Sequence, residues 1–229
     1  MTTRMNVVVR GRANRLALLL LTVIFLGWGV PVLATDTLSK QVNSGPRWWL
    51  QVMAPDDRLL VNIPMPDAAG WCLAWNHSVE GFTVHDCYRN QAGQMLLERS
   101  HLPDFAAGLD HIPGRGRQIS DGQGGYWIED INEPVPGSRY RLRVGSNKVN
   151  HRLVSHGQPT LRQLTELKGV ANAGCPLLVP GMTLAQSEVS PSNRNTAAVI
   201  SLSELAAGRG VIIQLVDNAL CGRIKSSAF

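Results

Sequence analysis

The sequence predicts a mostly β protein: an antiparallel β-sandwich or barrel-like domain with an irregular C-terminal extension that contains one or two short helices. Two observations predict this class. Short strand-like runs follow one another from residue 47 to residue 154, and turn residues separate them at intervals of about 8–12 positions. No amphipathic pattern of about 15 residues, such as a long helix would show, interrupts these runs.

Residues 1–34 are predicted to be a secretory signal peptide. Four arginines precede an apolar run at 16–26, glycine and proline break that run, and small residues follow at 32–34. This order predicts a periplasmic protein in which disulfides can form. The alternative is that the leader is retained and anchors the chain to the inner membrane.

The leader also accounts for much of the basic charge. The chain carries 22 Lys and Arg against 17 Asp and Glu, a net charge of +5. Four of the arginines and none of the acidic residues lie in 1–34, so the remainder has a net charge of +1. A nearly neutral domain without a basic stripe argues against nucleic-acid binding. The sequence has no second apolar run as long as that of the leader, so we expect no membrane contact beyond the leader.

The β domain is expected at 47–155, after a polar, flexible lead-in at 35–46. Its longest predicted loop is 103–116, which is rich in Gly and Pro. The strand-like runs are 47–54, 58–63, 71–77, 82–90, 94–101, 117–120, 125–131, 139–145 and 149–154.

The C-terminal extension is expected at 156–229. Leucines at helical spacing predict a short helix at 160–168, with Thr160 as its N-cap. Residues 169–200 are rich in Gly, Pro, Ser and Asn and are interpreted as an irregular insertion. A helical turn then precedes a strand at 211–217, which is a candidate to return to the β domain.

Four cysteines in an exported chain allow up to two disulfides and three pairings. If the runs 71–77 and 82–90 form a hairpin through 78–81, Cys72 faces Cys87 directly, at a separation that a disulfide can span. We therefore predict Cys72–Cys87 and, by elimination, Cys175–Cys221. A slip of one residue in the hairpin register would undo the first pairing.

The run 75–80, with His77-Ser78-Val79-Glu80, resembles the signature of a bacterial family catalogued as domain of unknown function 1850. Four further stretches are similar to that family and lie in the same order, so that the resemblance covers about residues 47–154. They are 96–99 (LLER), 105–109 (FAAGL), 126–128 (YWI), and 142–145 (LRVG) running to 151–153 (HRL). Among their residues we take Glu98, Arg143 and His151 as candidate site residues.

The resemblance implies an exported or membrane-tethered protein whose gene lies near those of TAXI-type TRAP transporters. Such transporters take up small organic anions through a periplasmic solute-binding protein. The implied partners are therefore the solute-binding or membrane subunits of the transporter, and a small organic anion. The hairpin cysteines and the stretch after residue 156 depart from the family pattern.

His77, Ser78 and Glu80 crowd the tip of the predicted hairpin. They could form a small polar pocket for an anion or a proton-transferring group. The alternative is a satisfied histidine at the edge of the core, with Ser78 and Glu80 fixing the turn. A hydrolase would use Ser78 as its nucleophile, but adjacent strand residues point to opposite faces, which places His77 badly as the base.

A metal site would draw on imidazole and carboxylate ligands, which suit several transition metals. The available residues match no closed ligand motif, so we expect no metal and no cofactor. They are His77, His85, Asp86, His101 and His111.

Two sets of arginines are candidates for binding an anion. Arg115 and Arg117 lie at the end of the long loop and could grip a carboxylate, or could simply be solvated. Arg139, Arg141 and Arg143 alternate along one strand, where they predict a solvated basic edge or a docking face for an acidic partner.

The sequence therefore predicts a periplasmic, non-enzymatic accessory or binding protein associated with TRAP-type uptake of small organic anions. Two alternatives stay open. One is a structural or interaction protein of the cell envelope without a ligand. The other is a hydrolase centred on His77 and Ser78.

Overall fold

A computed structural model describes residues 45–103, 113–156, 163–164, 166, 175–186 and 196–221. The predicted signal peptide, residues 35–44 of the lead-in and most of the helix predicted at 160–168 lie outside the described residues. Within the described ranges, no helix combines the length and apolarity needed to cross a membrane.

The described part of the chain is mostly antiparallel β structure, which confirms the predicted fold class. Two short helices accompany the strands: α1 (Leu202–Ala206) and α2 (Asn218–Cys221). The strands are β1 (Trp48–Met53), β2 (Leu59–Pro64), β3 (Gly70–Asn76), β4 (Thr83–Gln91), β5 (Gln94–Leu102), β6 (Arg117–Ser120), β7 (Tyr126–Glu129), β8 (Glu133–Pro134), β9 (Arg139–Arg143), β10 (Arg152–His156), β11 (Thr183–Gln186), β12 (Thr196–Ser201) and β13 (Gly210–Asp217).

The strands form two sheets that pack face to face as a sandwich. The small sheet has four strands in the order β2-β1-β13-β9. The large sheet has nine, in the order β11-β12-β10-β3-β4-β5-β7-β6, with β8 paired to β5. β13 therefore lies between two strands that are far from it in sequence, β1 and β9.

The main core lies between the inner faces of the two sheets. Alternate residues of β1, such as Leu50 and Val52, are fully buried against the large sheet, to which β3 contributes Trp71 and Leu73. Period-two alternation is what allows one face of each strand to supply this core. Burying each such side chain contributes about 1.5–3 kcal/mol before conformational entropy is subtracted.

The β3–β4 hairpin adopts the predicted register. Cys72 pairs with Cys87 across the ladder, and the two residues form a disulfide, which confirms that pairing. Cys175 is disulfide-bonded as well, and its sulfur lies 3.8 Å from the carbonyl oxygen of Asn218 in α2. The side chain of Cys221 lies outside the described residues, so its pairing with Cys175 stays a prediction.

Two strands lie where the sequence indicated an irregular insertion. β12 pairs with β10 and β11 pairs with β12, so both extend the large sheet at one edge. The residues around both strands are mostly turn formers, and these dominate the local composition. The pairing with β10 is a contact between distant parts of the chain, which local patterning does not show.

Candidate functional site

The small sheet ends in an edge strand that carries three arginines on one face. β9 pairs with β13 alone, and its exposed residues alternate with half-buried Tyr140 and Leu142. We call the exposed set Arg139, Arg141 and Arg143 the arginine face. Strand periodicity places their side chains on the outer side of the sheet, away from the core.

No described residue neutralises the arginine face. Throughout the described ranges, none of its three guanidinium groups makes an ion pair or a hydrogen bond. The other arginines behave differently, since seven of them lie within 4.0 Å of a carboxylate oxygen. These seven are Arg47, Arg58, Arg89, Arg99, Arg115, Arg117 and Arg209.

A groove lies beside the middle arginine. Met53, Ile212 and Arg141 are neighbours across the three strands β1, β13 and β9. The groove has a volume of about 320 Å³. Its lining is Met53, Pro55, Arg141, Gly210, Val211 and Ile212. It therefore combines an apolar floor with one cationic fork, which can hold a carboxylate through two parallel hydrogen bonds.

The loops that flank this groove carry both signs of charge, with Asp56 and Asp57 beside Arg58 and Arg209. Arg58 and Arg209 both approach the same carboxylate, that of Asp56, at 3.8 Å and 3.4 Å. Together with Asp57, these charges sum to zero, so the positive charge beside the groove is that of the arginine face itself.

The two loop arginines predicted to grip an anion are already engaged. Arg115 donates two hydrogen bonds to Glu133, at 2.7 Å and 2.8 Å, and this carboxylate raises the pKa of Arg115. Arg117 donates to Asp130 at 3.4 Å. Both guanidinium groups thus hold carboxylates of the protein itself.

The hairpin tip is a turn built around one imidazole. The ring of His77 stacks on Phe82 with centroids 5.1 Å apart, and its Nδ1 accepts a hydrogen bond from the backbone N–H of Glu80 at 3.3 Å. Ser78 is exposed, and its hydroxyl contacts no histidine among the described residues. His77 fixes the turn here, and the tip lacks the nucleophile–base contact that a hydrolase needs.

Glu98 belongs to an ionic network on the outer face of the large sheet. A register shift in the β4–β5 ladder makes it an extra residue, and its carboxylate accepts from Nε2 of His156 at 3.1 Å. This hydrogen bond is the main reason that the pKa of Glu98 is lowered. Arg89 lies 3.6 Å from the same carboxylate, and Arg99 lies 3.2 Å from Nδ1 of His156. These contacts are internal, so Glu98 holds together β4, β5 and β10.

His151 is a buried structural residue. Its Nδ1 accepts a hydrogen bond from the backbone N–H of Gly145 at 2.9 Å, and its ring stacks on Trp75. Burial lowers the pKa of His151, because the charged ring would be poorly solvated. Its backbone carbonyl accepts from Leu202 and Ser203 at the start of α1.

The described members of the predicted metal-ligand set do not converge. His85 and His101 face each other on the outer side of the large sheet, with rings 5.8 Å apart. Asp86 lies on the inner side, and His111 is outside the described residues. Ligand atoms do converge at Cys72, Cys87 and His156, but the disulfide leaves neither sulfur as a thiolate.

Sequence reasoning missed one polar pair in the core. Asp86 accepts a hydrogen bond from Ser100 at 2.6 Å between the two sheets. Burial nevertheless raises the pKa of Asp86, since desolvation outweighs that bond. Beside it, Tyr88 stacks on Tyr140, and burial raises the pKa of both phenols. The sequence signal that could have revealed this pair is the position of Asp86, a polar residue among the alternating apolar residues of β4.

Comparison with known proteins identifies a family over part of the chain. Residues 72–161 match the family model described as Domain of unknown function (DUF1850). The family resemblance inferred from the sequence is therefore confirmed, over a region that begins at residue 72 and not at residue 47. The matched region contains the whole arginine face. No curated protein and no solved structure matches the chain.

Proposed function

We propose that this chain, with its DUF1850 region, is an exported, non-enzymatic accessory protein of TRAP-type organic-anion uptake. It acts by binding an anionic group at the arginine face. The predicted leader and the family resemblance support the proposed compartment and transporter. The arginine face and the groove beside it support the proposed binding chemistry.

One observation carries the proposal: the arginine face has no carboxylate partner among the described residues, whereas seven other described arginines have one. Alternate residues of a strand lie about 7 Å apart. Two unit charges at that distance repel by about 0.6 kcal/mol in water. A bound anion would remove this repulsion and gain charge-assisted hydrogen bonds.

The groove indicates the shape of such an anion. A volume of about 320 Å³ lies at the lower end of the range for small-molecule sites. A carboxylate held by Arg141 would place a short apolar body over Met53 and Ile212. A small organic acid matches this combination of charge and apolar surface.

Thermal unfolding in the presence of small carboxylates tests the binding. A carboxylate present at 100 times its Kd should stabilise the protein by about 2.7 kcal/mol, whereas chloride at the same ionic strength should not. Arg141→Gln should abolish this effect. Arg117→Gln is the matched control, because it removes an exposed arginine that is already paired with Asp130. Stabilisation that is absent, or equal in Arg141→Gln, would refute anion binding at this face.

The role in uptake requires a second measurement. A strain that lacks the protein should accumulate the transported anion more slowly, and the wild-type chain should restore the rate. Arg141→Gln should restore it less well, although it reaches the same level in the periplasm. Unchanged uptake in the deletion strain would refute the accessory role and leave the anion binding as a separate result.

A further inference from the structure

The two edge strands of the small sheet, β2 and β9, differ in whether another described segment pairs with them. At one edge, β2 is covered by the segment around Leu178, which exchanges backbone hydrogen bonds with Asn62 at 2.9 Å and 3.0 Å. The side chain of Asn62 also donates to the carbonyl of Pro176 at 2.7 Å. This edge of the sheet is therefore closed.

At the other edge, no described segment covers β9. In the described part of the chain, residues 139–143 make no backbone hydrogen bond outside their ladder with β13. Half of the N–H and C=O groups of an edge strand point away from its neighbour and can pair with another strand. Proteins usually close or blunt such an edge, and the protection that the described residues give β9 is charge.

The alternation along β9 specifies what could pair with it. Arg139, Arg141 and Arg143 point outward, while Tyr140 and Leu142 pack against the core. Residues directly opposite each other in an antiparallel ladder lie about 4.5–5.5 Å apart, close enough for a side-chain ion pair. A complementary strand would carry acidic residues at every second position and apolar residues between them.

The same charges disfavour pairing of β9 with a second copy of the chain. If β9 of a second copy paired with this edge, arginines would face arginines, and like charges directly opposite each other destabilise a ladder. The edge therefore disfavours self-association and favours an acidic strand, which is selection by repulsion as well as by attraction.

We propose that β9 receives an extended acidic segment of a partner protein as a fifth strand of the small sheet. The inference rests on the arginine face that also carries the proposed function. It depends in addition on the backbone edge, which a small anion does not need. Main-chain hydrogen bonds would supply affinity, and the arginine face would select alternating acidic residues.

Binding of synthetic peptides to the protein without its predicted signal peptide tests this proposal. The probe is a seven-residue peptide of alternating Glu and Val, and the reference has the same composition in a non-alternating order. The alternating peptide should bind at least about tenfold more tightly, because only it matches the strand period. Equal affinity of the two peptides would refute strand pairing.

N-methylation separates hydrogen bonding from charge. Two versions of the probe are methylated on one or the other alternate set of amides, so both keep all of their carboxylates. The version whose methylated amides face β9 should lose at least about tenfold in affinity, and the other should bind as the parent does. Equal behaviour of both versions would overturn the proposal.

Charge exchange identifies the surface. The double variant Arg139→Glu, Arg143→Glu should lose the Glu/Val peptide and gain a Lys/Val peptide of the same pattern. Arg141→Gln is the milder variant if the double variant fails to fold, and Arg117→Gln is again the control. Retention of the Glu/Val peptide by these variants would place binding elsewhere and refute the proposal.

The outcomes distinguish this proposal from the proposed function. Small carboxylates that bind while both peptides behave alike would support anion binding and refute the strand partner. An alternating peptide that binds while small carboxylates do not would support the strand partner and refute the small ligand. If neither binds, both proposals fail.

Discussion

At the scale of single residues, Asp86 is the clearest case of a group that costs stability at neutral pH. Burial raises its pKa in the folded state above the unfolded value of 3.8. The stability linked to this group is therefore complete below that value and is lost as the pH rises through the folded pKa. The hydrogen bond that Ser100 donates to Asp86, at 2.6 Å, offsets part of this cost.

We therefore expect Asp86→Asn to stabilise the protein at pH 7. The amide oxygen can still accept the hydrogen bond from Ser100, and the cost of a buried charge disappears. Urea unfolding should show the gain at pH 7 and a smaller gain at pH 4. Ser100→Ala is the comparison, since it removes the hydroxyl donor to Asp86 and should destabilise. A less stable Asp86→Asn protein at pH 7 would contradict this explanation.

His151 should produce the opposite pH dependence. Burial lowers its pKa below the unfolded value of 6.5, so the unfolded chain takes up the proton first. Stability linked to His151 is present above 6.5 and is lost as the pH falls below it, towards the folded pKa. The neutral ring also supplies the Nδ1 that accepts from Gly145.

The matched variant is His151→Asn, whose side-chain oxygen can accept from the same N–H. The difference in unfolding free energy between the wild type and this variant should shrink as the pH is lowered from 7.5 to 5.5. Glu98 does not interfere, because its lowered pKa places its loss of stability below the unfolded value of 4.5. A difference that is constant with pH would show that His151 does not titrate on unfolding.

At the scale of elements, the β4–β5 hairpin contains a strained turn residue. Ala92 and Gly93 form its two-residue connection with φ of 51° and 91°, which is the left-handed region. Hairpin turns of this kind favour Asn-Gly, since Asn tolerates that backbone better than Ala does. The backbone N–H of Ala92 donates to Asp67, so the strain is held in place.

Ala92→Asn should therefore stabilise the protein by about 0.5–1 kcal/mol in urea unfolding. Gly93→Ala is the contrasting variant. Its new Cβ would collide with the ring of Trp48, and the positive φ of this position disfavours Ala as well, so it should destabilise the protein. If Ala92→Asn gives no gain, the backbone strain at this turn is smaller than the dihedral angles indicate.

Element-scale features also show where local patterning succeeds. The hairpin of β3 and β4 was predictable because both runs alternate and a Gly closes the short connection between them. The bulge at Glu98 was not, since only the pairing with β4 reveals the extra residue. β12 was missed for a similar reason, as its partner β10 lies more than 40 residues away along the chain.

At the scale of the whole molecule, the candidate site is a product of topology. The groove takes Met53 from β1, Arg141 from β9 and Ile212 from β13, which are far apart in sequence. The alternating arginines were visible in the sequence. Their lack of partners among the described residues was not, because Arg115 and Arg117 belong to an equally basic motif, yet both are paired in the fold.

The disulfide and the arginine face lie in different sheets, and this separation yields a final prediction. Cys72–Cys87 closes a loop with a sequence separation of 15 in the large sheet. Removing it should cost about 2–4 kcal/mol of unfolding free energy, mainly because the unfolded chain gains freedom. The double variant Cys72→Ala, Cys87→Ala should show this loss in urea unfolding.

The same double variant should bind anions with the affinity of the wild type, provided that it is assayed well below its unfolding transition. β9 is held by β13 and by the core under Tyr140 and Leu142, and none of these contacts involves the hairpin disulfide. An altered Kd in a folded double variant would show that the two sheets are energetically coupled. Unchanged stability would show instead that the bridge adds little to a hairpin whose register is already set by packing.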